Sequence, residues 1–251
     1  MDLPAPSTEI GLVRSDDWCR GLHHDLEDLC EEFGVTLVAG EEGAVGTAAE
    51  LVVAVGDDAL TTVGRRDLST PILPVECGPG VPSASITDVP AVVRSILETG
   101  GRASERATLA VSVDETVERA LFDVALVTDG PARISEYSVR SGREIVARLR
   151  ADGIVVATPA GSSRYASAAG GPTVDGAVEC AVVVPIAPFV TQRKRWVLSP
   201  NELSVTVERD DCAVSLQVDG TVRASVDAES TVAFDAGPPV SIVDDDSHLE
   251  T

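Results

Sequence analysis

Two rhythms of hydrophobic and polar residues divide the chain near residue 100. Before it, short apolar runs without alternation occupy residues 10–13, 35–38, 51–55 and 72–75. Between them lie segments with helical spacing. From Trp18 to Phe33 the residues Leu22, Leu26, Leu29, Cys30 and Phe33 recur at intervals that put them on one face, which predicts a helix. Residues 89–97 predict a second helix, closed by Gly100-Gly101. Uninterrupted apolar strands alternating with helices predict a parallel sheet covered on both faces.

After residue 104 the pattern changes to many short runs, a good number alternating apolar with polar. Residues 109–113, 120–127, 137–139, 144–150, 154–157, 181–184, 203–207, 213–218, 221–226, 231–234 and 240–243 read as strands. Gly142, Asp219-Gly220 and Gly237-Pro238 supply turns, and Val218-Asp219-Gly220-Thr221 is a strong hairpin signal. The expected organisation is therefore an α/β parallel-sheet domain over residues 1–101 and a mostly β, sandwich-like domain over 102–243. Residues 100–104 read as a linker and 244–251 as a frayed acidic tail.

Composition narrows the class. Apolar residues make up 44% of the 251 and aromatics only 3%, so Val, Ala, Leu and Ile must build the core. No apolar run approaches the roughly 18 residues that span a bilayer, and no signal peptide opens the chain. A soluble cytoplasmic protein is expected. The net charge is −22, and Lys194 is the single lysine. Such a surface repels nucleic acid and anionic membranes. It fits a salt-loving cytoplasm of the haloarchaeal kind, where self-repulsion is screened. Cys19, Cys30, Cys77, Cys180 and Cys212 are widely spaced and odd in number, which argues against a disulfide framework or a zinc site. His23, His24 and His248 have no metal-ligand arrangement.

Two places carry candidate chemistry. Gly56-Asp57-Asp58 follows the apolar run at 51–55. Ligands of parallel sheets bind beyond the carboxyl ends of strands, so this turn is a candidate site. The competing reading makes Asp57 and Asp58 turn residues that cap the next helix. The second place is 152–172, which runs from Asp152-Gly153 through Thr158-Pro159-Ala160-Gly161-Ser162-Ser163-Arg164-Tyr165 to Gly170-Gly171-Pro172. Its glycines admit close backbone approach, and Thr158, Ser162, Ser163 and Tyr165 offer donors and acceptors. Neither a Walker A sequence nor a Gly-x-Gly-x-x-G fingerprint is present.

This stretch resembles the Asp-Gly…Thr-Pro-Thr-Gly-Ser-Thr-Ala-Tyr…Ser-Ala-Gly-Gly-Pro signature of the NAD kinase family. Pro185-Ile186-Ala187-Pro188 followed by Arg193 is similar to the family's Pro-Ile-x-Pro-His…Arg-Pro, with Phe189 in place of histidine. Ala120-Leu121-Phe122-Asp123 is similar to Ala-Leu-Asn-Glu/Asp, with Phe122 replacing an asparagine that reads adenine in the family. Pro71-Ile72-Leu73 resembles the strand before a Gly-Ile/Val-Asn-x-Gly turn, with Glu76 at the asparagine position. Val55-Gly56-Asp57-Asp58-Ala59 corresponds to Gly-Gly-Asp-Gly-Thr: Gly56 and Asp57 keep register, while Val55, Asp58 and Ala59 differ.

The resemblance implies phosphoryl transfer from ATP or polyphosphate, with Mg²⁺, to NAD in a cleft between the two domains, giving NADP. It implies Asp57 as the base and Gly56 and Asp58 beside the phosphates. Asp123 and Asp152, with Thr158, Gly161, Ser162, Ser163 and Tyr165, would hold the nucleotide. Asp123 reads alternatively as an exposed strand residue, and Tyr165 as a core aromatic. Arg164 stands where the family has alanine and could bind a phosphate or close the pocket. Homodimers or tetramers through the β domain are also implied. Asp58 places a charge where phosphates should lie, a cost on the order of 4 kcal/mol at ~4 Å and an effective dielectric near 20. As a Mg²⁺ ligand it would reverse that sign. A binding protein without transfer, and a kinase for a lipid acceptor, are the competing functions; the Thr-Pro-x-Gly-Ser loop favours NAD over lipid.

The charge alone yields one expectation. At low ionic strength the self-repulsion of −22 charges is unscreened, so the fold should need salt near 1 M. Circular dichroism during salt removal should show loss of structure, and an unchanged melting temperature in dilute buffer would contradict it.

Overall fold

The computed structural model describes residues 1–14, 20–40, 48–66, 69–130, 133–189, 194–209 and 213–244. Trp18, Cys19, Arg193, Cys212 and the tail from 245 onward lie outside the described residues. The chain forms two compact units: Met1–Arg106 with the segment from Val240 onward, and Ala107–Pro239.

In the first unit the elements are β1 (Asp2–Leu3), β2 (Glu9–Arg14), α1 (Arg20–Phe33), β3 (Thr36–Gly40), β4 (Leu51–Val55), α2 (Asp57–Gly64), β5 (Ile72–Val75), α3 (Val89–Thr99) and the start of β6 (Gly101–Val113). Strands β3, β2, β4 and β5 lie side by side and parallel. Ile10, Leu12, Leu51, Val53, Leu73 and Val75 pack with Leu22, Leu26 and Leu29 of α1 and with Val89, Val93 and Ile96 of α3. Val52 and Ala54 face the other way along the pleat and are equally buried. Both faces of β4 are covered, which is why its sequence does not alternate.

The segment expected as a linker is instead the first part of β6. Asp2 and Leu3 pair antiparallel with Arg102 and Gly101, so the amino-terminal strand captures the Gly-rich stretch. Val240–Val243, expected in the second domain, belongs to the first unit, where Ile242 lies parallel beside Ile72.

The second unit continues with β7 (Thr116–Ala120), β8 (Asp123–Thr128), β9 (Ser135–Ser141), β10 (Glu144–Ala151) and β11 (Gly153–Ala157). A single-turn 3-10 helix (Ala160–Ser163) and α4 (Tyr165–Ala168) follow. Then come β12 (Ala181–Ile186), β13 (Trp196–Leu198), β14 (Leu203–Arg209), β15 (Val214–Val218), β16 (Thr221–Val226) and β17 (Thr231–Val243). One antiparallel sheet has the order β13-β12-β11-β8-β15-β16, and the other contains β10-β9-β14-β17. Val124, Leu126, Ile154, Val156 and Leu216 of the first meet Tyr137, Val139, Val205 and Phe234 of the second. This is the expected sandwich. Strand β11 is also covered on its outer face, where Val155 and Ala157 pack with Ala166, Val182 and Val184.

Two local expectations change. Residues 120–127 are not one strand: β7 ends at Ala120, β8 begins at Asp123, and they pair in different sheets. Gly237-Pro238 is not a turn but runs inside β17, where the Thr108 hydroxyl donates to the Pro238 carbonyl (2.8 Å). Among the described residues Cys30, Cys77 and Cys180 form no disulfide. No described helix is long and apolar enough to cross a membrane.

Candidate active site

In the first unit the candidate residues stand at the carboxyl ends of the parallel strands. Gly56 leaves β4 with φ 84 and ψ 164, backbone that a side chain would strain. Its N–H donates to the Val75 carbonyl (2.8 Å). Helix α2 then begins with Asp57 and Asp58. Neither carboxylate caps it, because Gly56 occupies the N-cap without a side-chain bond. Both carboxylates lie in the first turn, where the helix dipole favours negative charge. The half-buried Asp57 accepts the Gly78 N–H at Oδ1 (3.0 Å), which ties it to the loop after β5. Asp58 is exposed. Glu76 adopts φ 51, and its carboxylate folds back to accept the Ile86 N–H (2.8 Å).

Sequence reasoning missed Arg14 here. It ends β2 directly opposite Val55, and its Nη1 is buried with no hydrogen-bond partner among the described residues. An arginine closing an apolar strand gives little signal by itself; only the parallel register puts it beside Gly56.

In the second unit the candidates gather around the corner between β7 and β8. The backbone turns there because Asp219, in the β15–β16 hairpin turn, draws three successive N–H groups onto its carboxylate: Leu121 (3.1 Å), Phe122 (2.7 Å) and Asp123 (3.1 Å). The Asp219 N–H returns a bond to the Asp123 carbonyl (2.8 Å). The Asp-Gly pair announced a hairpin, but nothing local announced this second role.

The corner in turn fixes the loop after β11. Thr158 donates its hydroxyl to the Leu121 carbonyl (2.7 Å) and accepts the Gly161 N–H (3.0 Å), while its own N–H donates to the Phe122 carbonyl (2.8 Å). Gly161 packs so closely that a Cβ would lie 1.9 Å from the Phe122 oxygen. Ser162 donates to the Pro159 carbonyl (2.6 Å) and accepts the Val174 N–H (2.9 Å). Thr158 and Ser162 are 1% and 0% exposed. Their hydroxyls make hydrogen bonds within the protein that hold the loop together. The Ser163 hydroxyl, half-buried, donates to the Ala160 carbonyl (3.3 Å).

Four other expected residues do come together. Asp123 is only 7% exposed. Burial first, then the Asp219 charge, pushes its pKa up to about 7, with Arg164 opposing. The Arg164 guanidinium lies over the Phe122 ring, 3.6 Å from its centre. Tyr165 is 39% exposed, and its hydroxyl pKa is raised by burial and then by the charges of Asp123 and Asp152. Asp152, half-buried between β10 and β11, completes the group. The arrangement offers two carboxylates, a phenol and a guanidinium around one partly open corner, suited to the hydroxyls and base of a nucleotide. Phe189 is exposed and sits apart from them in sequence, its N–H bonded to the Arg150 carbonyl (2.9 Å).

A family model described as the ATP-NAD kinase C-terminal domain matches residues 121–241. An NAD kinase from Methanospirillum hungatei is 29% identical over 237 residues, covering 88% of this chain and 87% of the relative. An NAD kinase from Methanothermobacter thermautotrophicus is 33% identical over 195 residues, covering 74% and 68%. Among solved structures, yeast NADH kinase complexed with NADH superposes with a TM-score of 0.78 at 17% identity, covering 96% of this chain and 84% of that one. An NAD kinase from Archaeoglobus fulgidus in complex with ATP gives 0.76 at 24% identity, covering 94% and 93%.

Gly161→Ala should cost about 3 kcal/mol or more, because backbone blocks the added methyl. Denaturant unfolding measures it. Asp123→Asn tests the buried carboxyl. The pKa is 3.8 unfolded and about 7 folded, so the folded state holds the extra proton between those values, and stability falls as pH rises through that window. The asparagine variant should therefore melt higher than the parent at pH 8 and alike near pH 4. A gain that is equal at both pH values would show that Asp123 does not carry this proton.

Proposed function

The chain belongs to the NAD kinase family, and we propose on that premise that it phosphorylates the 2′-hydroxyl of the adenosine ribose of NAD. ATP or polyphosphate is the donor. The observation that carries this reading is the Asp57 carboxylate, which keeps register with the family's catalytic aspartate and is anchored by Gly78 at the end of a parallel strand. Asp57 takes the proton of the ribose hydroxyl. The hydroxyl oxygen then bonds to the terminal phosphorus of the donor as the bridging P–O bond breaks, and the shortened donor leaves with the electron pair. Because such transfer depends mainly on positioning and charge neutralisation, the remaining groups act by orientation. Arg14 supplies positive charge beside Gly56, where Asp58 adds negative charge. Asp123 accepts hydrogen bonds from the nucleoside, Tyr165 packs on it, and Asp152 faces the Tyr165 hydroxyl.

The accompanying ion in this reading is Mg²⁺, which would neutralise the phosphate oxygens. Among the described residues no three His, Cys, Asp or Glu side chains gather as a metal cage. The ion fits as one carried by the donor phosphates, with the exposed Asp58 as a single protein ligand. Cytoplasmic location, adaptation to high salt and assembly into dimers or tetramers complete the proposal. They rest on the composition and on the family.

Coupled detection of NADP in molar salt, with ATP or polyphosphate, tests this reading. Asp57→Asn should lower kcat by about 100-fold or more while the rise in melting temperature caused by NAD persists. Asp58→Gly separates its two roles: activity rises if Asp58 only repels phosphate and falls if it holds Mg²⁺. Wild-type protein that binds NAD without forming NADP would instead make the chain a nucleotide-binding protein.

A further inference from the structure

Glu76 stands where the family resemblance leads one to expect an asparagine, at the point where β5 gives way to the loop that reaches Asp57. Its backbone has φ 51. A glycine takes that conformation freely, whereas a side chain there is strained. Such strain persists only where the surroundings hold it, and here they do. The Glu76 N–H donates to the Ala84 carbonyl (3.0 Å), and the Ala84 N–H donates to the Pro74 carbonyl (3.0 Å). Ala84 is 1% exposed, so the returning limb of the loop lies against the end of β5, with Val75 and Ala84 in a parallel bridge. The side chain adds another tie. Its Oε1 accepts the Ile86 N–H (2.8 Å) and the Ser85 hydroxyl (3.4 Å), and Ile86 is itself packed against the core of the first unit.

The carboxylate thus closes residues 76–86 into a loop fixed at both ends. Inside it the Cys77 N–H donates to the Ser83 hydroxyl (2.8 Å), and the next residue, Gly78, donates its N–H to Asp57 Oδ1 (3.0 Å). On the other side, the Gly56 N–H just before Asp57 is held by the carbonyl of Val75, the residue before Glu76 (2.8 Å). The backbone leading into Asp57 and the Asp57 carboxylate are therefore both tied to the chain around Glu76. A charged acceptor on a backbone N–H makes a strong, directional bond. Here it secures a left-handed turn, and that turn decides where the Gly78 N–H points.

We propose that Glu76 is a positioning residue for the phosphoryl transfer. By tying the end of β5 to Ile86 it fixes the turn that sets the Gly78 N–H on Asp57, and so directs the carboxylate that takes the ribose proton. Glu76 acts through the loop and does not itself touch the substrate. This rests on the NAD kinase reading above.

The test is NADP formation in molar salt by Glu76→Ala, Glu76→Gly and Glu76→Gln, with Glu76→Ala made in the Asp57→Asn background as well. Alanine removes the acceptor, and kcat should fall about tenfold. The KM for NAD and for the phosphoryl donor should stay within about twofold, the split expected when the lost interaction matters only in the transition state. Glutamine keeps an acceptor at the same reach and should recover most of the alanine loss. Glycine lacks the tie but relieves the backbone, so it should melt at or above the alanine variant while its kcat is equally low. Glycine also keeps the test open if alanine folds poorly. In Asp57→Asn protein the base is already gone, so adding Glu76→Ala should lower the residual rate less than about twofold. Equal losses in the two backgrounds, a glycine variant with parental kcat, or a KM for NAD raised about tenfold in Glu76→Gln would each overturn the proposal while leaving the kinase reading intact. Wild-type protein that forms no NADP would remove both.

Discussion

Everything in the second unit's candidate site hangs on one carboxylate. Asp219 collects the N–H groups of Leu121, Phe122 and Asp123. Three bonds to a charged acceptor in a partly buried place are worth roughly 1.5–3 kcal/mol each. They turn the chain from β7 into β8, and in doing so they present the Leu121 and Phe122 carbonyls to Thr158 and Gly161. The loop that carries Arg164 and Tyr165 is therefore built on the corner, and the corner is built on Asp219. The arrangement has an electrostatic consequence. Burial first, and then the neighbouring Asp219 charge, push the Asp123 pKa up to about 7. The site's own hydrogen-bond acceptor is set by the residue that shapes its backbone.

How much of this the sequence disclosed follows from the range of each interaction. Strand β4 was legible to the residue because an apolar run covered on both faces cannot alternate. Helix α1 was legible from its spacing, and the hairpin at Asp219-Gly220 from its turn chemistry. The break at Leu121-Phe122 was not legible, since the side chain that makes it lies nearly a hundred residues away. The linker was misread because Gly100-Gly101 looks loose in composition, and only the pairing with Asp2 and Leu3 makes it a strand. The stretch from Thr158 to Tyr165 stands out in sequence as one unit, and in the structure the Thr158 and Ser162 hydroxyls bond to backbone within and beside it. Thr158 and Ser162 are small polar residues because buried backbone needs partners, a demand that looks the same in sequence as a demand for ligand contacts.

The first unit shows the same economy around Gly56. The positive φ at Gly56 and the bond from Gly78 to Asp57 hold a carboxylate at the end of β4. Asp58 and Glu76 add negative charge at this edge, and both have somewhere to put it. Asp58 sits in the first turn of α2, where the dipole favours it, and Glu76 is folded onto the Ile86 N–H. Among the described residues the buried Nη1 of Arg14 has no such partner. A buried guanidinium nitrogen left without a partner is costly, and an anion at the carboxyl edge of the sheet would relieve that cost.

The way cations are used here suits the charge of the whole chain. With Lys194 as the single lysine, positive charge is carried almost wholly by planar guanidinium groups. Arg94 grips Glu32 with two bonds (2.8 and 2.7 Å) and lies over Phe33, Arg119 reaches the Pro238 and Pro239 carbonyls, and Arg164 covers Phe122. At about 1 M salt the Debye length is near 3 Å, and a point charge acts only on what it touches. Under that condition an ammonium group loses its reach, whereas a stacked or two-pronged arginine keeps its geometry and its contacts. A chain of charge −22 that must bind anionic nucleotides gains little from long-range attraction. Its affinity has to come from short, shaped contacts.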